Sequence, residues 1–303
     1  MRVLNLGSLN IDRTYKVNHF VMPKETIKAV GYQEFCGGKG LNQSVALSRA
    51  GADVYHAGCV GRDGDFLLNL LKEKKVNTDC IRRSESPSGH AIIQVDEEGQ
   101  NNIIICGGAN DDVTREYIDE VLGKFEKGDL LLLQNEVSNI DYAIERASGR
   151  GMVVAFNPSP VNEMIEACDL RRVNYFILNE VEGKYLAKAD SDEPGVIMEK
   201  LQERFPDAGF VLTLGENGAY YFDKEKKIHQ EVYKTKAVDT TGAGDTFTGY
   251  FLAGIAAGKK TEEAMELAGI AAGISVSRHG AAVSIPDIKE VNAVRDKISE
   301  KKG

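Results

Sequence analysis

The chain has 303 residues, 42% hydrophobic and 27% charged, with a formal net charge of −9. That is enough chain to bury a large core, in one α/β domain or in two ordinary ones. The acidic balance argues against a general nucleic-acid binder, whose footprint is a basic face, and no window approaches 18 uninterrupted apolar residues, so no membrane-spanning helix is expected.

In chain order, RVLNLGSLN (2–10) reads as the first strand, entering the fold directly without the regions of a leader peptide. IKAVGYQEF (27–35) is strand-like, and GLNQSVALSRAGA (40–52) is helical, with Gly51 ending it. DVYHAGCVG follows as a strand, and DFLLNLLKEKKV as a helix with Phe66, Leu67, Leu70 and Leu71 on one face. GHAIIQV and NNIIIC, joined by DEEGQ, read as a hairpin over 89–106. DLLLLQNE (129–136), GMVVAFNPS (151–159), VNYFILNE (173–180) and GFVLTLG (209–215) are further strands. Helices are expected between them, to about 149 and in VNEMIEAC and VEGKYLAKA. IHQEVYKTKAV is strand-like, and GDTFTGYFLAGIAAG places Phe247, Phe251, Ile255 and Gly258 on one helix face.

Continuous apolar runs such as LLLL, separated by helices, imply parallel strands buried on both faces. The expected architecture is a helix–sheet–helix sandwich, and no linker divides residues 1–303 into separate domains. Five cysteines, Cys36, Cys59, Cys80, Cys106 and Cys168, form no CxxC pair and sit near no histidine at ligand spacing. They are expected to be free thiols, which fits a reducing cytoplasm.

Polar residues recur just after the strands: Asn10 and Asp12, Gln134 to Glu136, Asn157, Asn179 with Glu182, Thr213 with Gly215, and Asp239 to Asp245. In an open parallel sheet the ligand crevice lies beyond the carboxyl ends of the strands. DTTGAGDTF (239–247) opens a helix, where several backbone N–H groups lack intrahelical partners. Gly242, Ala243 and Gly244 leave those amides uncovered, an arrangement suited to phosphate. From this stretch alone Asp245 reads equally as a helix cap. CGGKGLNQ (36–43) also opens a helix, with Lys39 and Asn42 as hydrogen-bond donors. With NID (10–12) it supplies donors and acceptors fit for sugar hydroxyls. Phe247 stands where the dinucleotide fingerprint needs its third glycine, and no P-loop sequence occurs.

GSLNID, GGKGLNQSVALSRAGADVYHAGCVGRDGDF, NPSP, NEVE, LTLGENGAYY and VDTTGAGDTFTGYFLAG resemble the ribokinase family of carbohydrate kinases, in order and over nearly the whole chain. The resemblance implies a three-layer α/β/α sandwich with a mostly parallel sheet. A small β-sheet lid would be built from segments near 13–36 and 88–107. It also implies transfer of a phosphoryl group from ATP to ribose at O5, with other sugars or nucleosides as alternative acceptors.

In that likeness Asp245 resembles the base, and Gly242, Ala243 and Gly244 the anion hole. Asn10, Asp12, Gly38, Lys39, Asn42 and Glu136 match sugar contacts. Asn179 and Glu182 match an N-x-x-E pair that organises Mg²⁺ through water. Thr213, Gly215 and Gly218 match a nucleotide-binding turn, with adenine continuing near Gly269. Asp239, Thr241, Ser275, Arg278, Gly280 and Ser284 match a K⁺ site; for Asp239 a turn-forming role stays equally open. The hairpin is apolar on both faces and needs cover. The likeness implies a homodimer through the lid, with Ile103, Ile104 and Ile105 in the interface; burial against the chain's own body is the alternative.

Overall fold

The computed structural model describes residues 1–302. The chain starts with β1 (Val3–Leu6), β2 (Asn10–Lys16), β3 (Gly31–Gly37) and α1 (Lys39–Arg49). Next come β4 (Val54–Val60), α2 (Asp65–Glu73), β5 (Asn77–Arg83), β6 (Gly89–Val95) and β7 (Asn101–Cys106). The middle holds α3 (Arg115–Leu122), β8 (Leu130–Gln134), α4 (Ile140–Gly149), β9 (Val153–Asn157), β10 (Tyr175–Asn179) and α5 (Glu180–Ala187). Then follow α6 (Pro194–Arg204), β11 (Gly209–Thr213), β12 (Ala219–Phe222), β13 (Lys227–Gln230), α7 (Ala243–Ala256), α8 (Thr261–Ser275) and α9 (Ile288–Lys302).

A nine-stranded sheet has the order β13-β12-β11-β10-β9-β8-β1-β4-β5. Its pairings are parallel from β5 through β11, and antiparallel only at β11–β12 and β12–β13. The apolar runs explain the layers. Leu131 and Leu133 of β8 join one core, with Tyr117, Ile144 and Leu201 from the helices on that face. Leu130 and Leu132 join the other, with Leu47, Phe251 and Ile270. Each inner strand is thus apolar on both faces, as a sheet covered on both sides requires. Four strands form the smaller sheet, β3-β2-β6-β7, which includes the expected hairpin.

Several expectations need correction. Residues 2–10 are not one strand: β1 ends at Leu6 in the large sheet, and β2 begins at Asn10 in the small one. The break is at Gly7, where a Cβ would come within 2.3 Å of Gln134 Oε1 and 2.7 Å of Gly40 Cα. Only Lys227–Gln230 of the segment before DTTGAGDTF is strand. Further on, the Val238 and Asp239 amides both donate to Val276 O at the end of α8, so this backbone pairs with a helix terminus rather than a sheet. The strand expected at 27–35 lies at Gly31–Gly37, and the short helix in VNEMIEAC is a 3-10 turn, Glu163–Ala167, capped by Asn162. Phe66 is exposed on α2 while Leu67 and Leu71 are buried. Gly258 lies just past α7, with φ 72°. The strands β5 and β12 and the helices α3, α6, α8 and α9 lie in stretches for which the sequence reading named no element.

Helix α1 is pressed between two partners. Its Gly40 lies on the Gly7–Ser8 backbone, where a Cβ would meet Ser8 N at 2.4 Å. On its other side a Cβ on Gly249 of α7 would lie 2.3 Å from Ala46 Cβ and 2.8 Å from Leu47 N. Backbone nitrogen cannot move aside as a flexible side chain does, so a larger residue must separate the helices. Gly249→Val is expected to cost about 3 kcal/mol by overpacking, read as a lowered urea midpoint. An unchanged midpoint would mean the helices do not cross this closely.

Candidate active site

The polar strand ends converge at the carboxyl edge of the large sheet. A cleft of about 510 Å³ is lined there by Lys39, Asn157, Asn179, Glu182, Thr213, Gly215, Gly242, Gly244 and Asp245, among others. Its floor is the start of α7. Gly242 is the N-cap in the left-handed region, φ 74°, and supplies no capping side chain. Thr246 N–H closes the first turn on Gly242 O at 2.8 Å. Among the described residues the N–H groups of Gly242 and Gly244 have no acceptor, and a Cβ on Gly244 would point into open space. The Ala243 N–H differs: it donates to Thr240 O at 3.2 Å.

Asp245 sits in the first turn of α7, buried. Its carboxylate caps nothing. Oδ2 accepts from Asn42 Nδ2 at 3.0 Å and Oδ1 from Gln43 Nε2 at 2.9 Å. Both donors stand on α1, so the α1–α7 crossing fixes the carboxylate. Each oxygen keeps acceptor capacity for a further donor.

Beside it, Ser8 Oγ donates to Glu136 Oε2, which also accepts from Lys39 N at 3.0 Å. Burial, with the charge of Asp245 adding to it, raises the Glu136 carboxyl above its ordinary value, although Ser8 and Lys39 oppose the shift. Burial, then the charge of Glu136, pushes Asp12 up to about 6. Burial pulls the Lys39 ammonium down, but the fields of Asp245, Glu136 and Glu182 outweigh it and the net shift is upward. Asp12 belongs to β2, opposite Phe35 of β3, and its carboxylate lies over Gly37, where a Cβ would come within 2.0 Å of Asp12 Oδ2. Gly38, φ 91°, then turns the chain into α1. Asn10 Oδ1 accepts from Asn110 Nδ2 at 2.7 Å, which leaves the Asn10 Nδ2 group as the free donor. Asn42 Oδ1 is buried and has no partner among the described residues.

Asn179 and Glu182 form a capping box at the start of α5. Glu182 N–H donates to Asn179 Oδ1 at 2.9 Å, and Asn179 N–H to Glu182 Oε2 at 2.9 Å. Glu182 is nevertheless a cleft residue, so cap and site coincide. At the turn after β11, Leu214 N–H donates to Gly218 O at 2.8 Å; Gly215 and Gly218 both have positive φ, 55° and 81°. Gly269 is not brought to the cleft. It lies on α8 beneath the side chain of Gln230, whose Cγ would be 3.1 Å from a Cβ there.

Asp239 ties two loops together. Its Oδ1 accepts from Thr241 N and its Oδ2 from Gly280 N, each at 2.9 Å. Burial alone would raise this carboxyl, but those donors, from Thr241 and Gly280, and His279 hold it below the usual range. Ser275 and Ser284 turn their hydroxyls onto Ala272 O and Ala281 O, and Arg278 pairs with Glu290. No group of three or more His, Cys, Asp or Glu side chains suited to a metal occurs among the described residues.

Sequence reasoning passed over Ser8, Gln43 and Asn110, and it marked Asn157 only as a strand-end residue. A Gln beside Asn42 in a helix otherwise facing the core was the available signal, since buried amides are seldom placed without partners.

The pfkB family carbohydrate kinase profile matches residues 2–288. Ribokinase of Staphylococcus aureus is 34% identical over 97% of this chain and 99% of its own. The crystal structure of ribokinase from Thermotoga maritima is 36% identical, with TM-score 0.85, over 97% of this chain and 98% of that one. The structure of Arabidopsis thaliana ribokinase complexed with ribose and ATP is 28% identical, with TM-score 0.85, over 96% and 97%. The chain belongs to the pfkB family of carbohydrate kinases, phosphotransferases with an alcohol group as acceptor.

Proposed function

We propose that the protein is an ATP-dependent ribokinase, transferring the γ-phosphoryl group of ATP to O5 of D-ribose. One observation carries this reading. The Asp245 carboxylate stands at the open start of α7, held by two side-chain N–H groups and spent on no cap. As general base it accepts the proton of the primary hydroxyl while that oxygen attacks the γ-phosphorus and the bond to ADP breaks. The amides of Gly242 and Gly244 receive charge on the transferring group; that of Ala243 joins them once it leaves Thr240 O. The choice of ribose rests on the named relatives.

The sugar pocket is read from unspent hydrogen-bonding groups. Asp12 and Glu136 accept hydroxyls, the Asn10 Nδ2 group donates, and Asn42 Oδ1, buried without a partner, accepts one more. Gly38 and Lys39 complete the wall. On the nucleotide side the reading uses Asn179, Thr213, Gly215 and Gly218. Gly269 lies on α8 under the half-buried Gln230 side chain, outside the residues that line the cleft. Glu182, 4% exposed among oxygen-bearing neighbours, fits a hard cation approached through water. Mg²⁺ bound with ATP would neutralise phosphate charge there. Asp239, Thr241, Ser275, Arg278, Gly280 and Ser284 would frame a K⁺ site, chiefly through backbone carbonyls; the Asp239 clamp on two loops supports it. The lid residues Ile103, Ile104 and Ile105 are 51%, 60% and 62% exposed and are not covered by the chain's own body. Ile103 and Ile105 share the face of Asp12. A second copy clasping the lid would cover them.

Three measurements follow. ATP turnover with ribose, deoxyribose, fructose, adenosine and pseudouridine, with and without K⁺, should be fastest with ribose and K⁺. Turnover only on a nucleoside would refute the acceptor, and no effect of K⁺ the cation site. Ionised Asp12 accepts hydroxyls on both oxygens and more strongly than the protonated acid does, and its value is raised to about 6. KM for ribose should therefore rise as pH falls below 6, by up to about tenfold per unit, and Asp12→Asn should flatten that slope. A KM constant from pH 8 to 5 in the unaltered protein would remove Asp12 from the sugar site. Light scattering after size-exclusion chromatography should give a dimer, and Ile104→Glu a monomer. Monomer alone at micromolar concentration without the substitution would end the dimer proposal.

A further inference from the structure

Beneath the cleft lies a row of buried side-chain amides that the proposed chemistry does not use. Asn5, Gln43 and Gln134 are fully buried, and Asn157 is nearly so. Asn5 Nδ2 donates to Gly40 O at 2.8 Å, and Gln134 Nε2 donates to Asn5 Oδ1 at 3.0 Å and to Gln43 Oε1 at 2.6 Å. Gln43 Nε2 donates to Asp245 Oδ1 and to Asn157 Oδ1, each at 2.9 Å. Asn157 Nδ2 donates to Ile177 O at 2.9 Å.

The row has only one self-consistent orientation. A backbone carbonyl accepts and never donates, so Gly40 O fixes which end of Asn5 carries the NH₂ group. Asn5 Oδ1 must then face Gln134 Nε2, and Gln134 must give its N–H to Gln43 Oε1. At the other end Ile177 O fixes Asn157 independently, so that Asn157 Oδ1 faces Gln43. Both ends demand the same result: Gln43 presents N–H to Asp245. Flipping any one amide would set oxygen against oxygen in a buried place, where an unmade hydrogen bond is costly. Asp245 is thus oriented through Gln43 by two fixed backbone carbonyls on different elements, one on α1 and one on β10.

We propose that Gln43, locked by Gln134 and Asn157, is a positioning residue for phosphoryl transfer: it holds the Asp245 carboxylate at the angle from which it takes the acceptor's proton. The proposal rests on the reading of Asp245 as the base. Gln43 touches neither substrate in this scheme. Its loss is felt in the step that needs the carboxylate placed, and small misplacements of a reacting group cost about 10²-fold in rate.

Gln43→Glu is the first test. It keeps the shape and the acceptor for Gln134 but replaces the N–H donor to Asp245 by a second oxygen. The expected result is a fall in kcat of about 10²-fold, with ribose binding by calorimetry and KM both within about threefold. Retained binding also reports a folded variant, and a merely structural role would shift KM and melting together with kcat. Gln134→Leu is the second test, usable even if Gln43→Glu fails to fold. It removes the lock without touching Asp245, and kcat should fall about tenfold with KM unchanged. Either variant with kcat within threefold of the parent overturns the proposal, as does a matched change in KM and kcat. Asp245→Asn separates the two readings. If it loses turnover while the Gln43 and Gln134 variants keep it, only the positioning role fails; if Asp245→Asn keeps turnover, the base itself is misassigned.

Discussion

The site depends on how closely α1 approaches its two neighbours. No side chain separates Gly249 of α7 from Ala46, or Gly40 from the backbone at Gly7 and Ser8. Helix α1 is therefore wedged between the link joining the two sheets and the helix that opens the cleft. That spacing lets two short amide side chains, Asn42 and Gln43, span from one helix to a carboxylate on the other. The same wedge sets Lys39 N and Ser8 Oγ on one oxygen of Glu136. Glycine at these positions is a matter of distance rather than flexibility.

Such a site carries polar groups into the core, where each must be paired or costs free energy. The row from Asn5 to Asn157 meets that demand almost completely; Gln134 Oε1 is its one acceptor without a partner. The helix-start amides go the other way. Gly242 and Gly244 leave donors unspent at the edge of open space. Below the cleft the protein satisfies its polar groups and gains rigidity. At its surface it leaves them unmet, which is what a binding site for an anion requires.

Much of this was legible in the sequence because the signals were local or periodic. LLLL of β8 forecast a strand buried on both faces, and the hairpin at 89–106 appears as β6 and β7. The spacing of GAGD to the following apolar positions forecast a helix start with bared amides. What was missed depended on neighbours distant in sequence. RVLNLGSLN alternates like one strand; the contact of Gly7 with Gly40 and Gln134 divides it. IHQEVYKTKAV has strand composition, yet its last amide, that of Val238, bonds the end of α8. Gln43 offered only the signal of an amide beside Asn42 in a core-facing helix; its three partners stand in three other elements, which no local pattern names. Asp245 as cap or as site residue was undecidable from nine residues, and the donors on α1 decide where its carboxylate is held.

The same geometry accounts for a polyanion site in a chain of net charge −9. Three carboxylates, Glu136, Glu182 and Asp245, bear on a single ammonium, Lys39, and a fourth, Asp12, feels the charge of Glu136. Their mutual field is visible in Asp12, raised to about 6 by burial and by Glu136, and in Lys39, held above its ordinary value against its own burial. That field favours hydroxyl donors and cations and opposes phosphate. On the proposed reading the phosphates meet uncharged dipoles instead, the amides that open α7, with a cation near Glu182 between them and the acids. Backbone amides carry no net charge and have no side chain to reorient. The positive end of the helix can therefore sit within one turn of the proposed base without forming an ion pair with it, as an added lysine or arginine in the same place would.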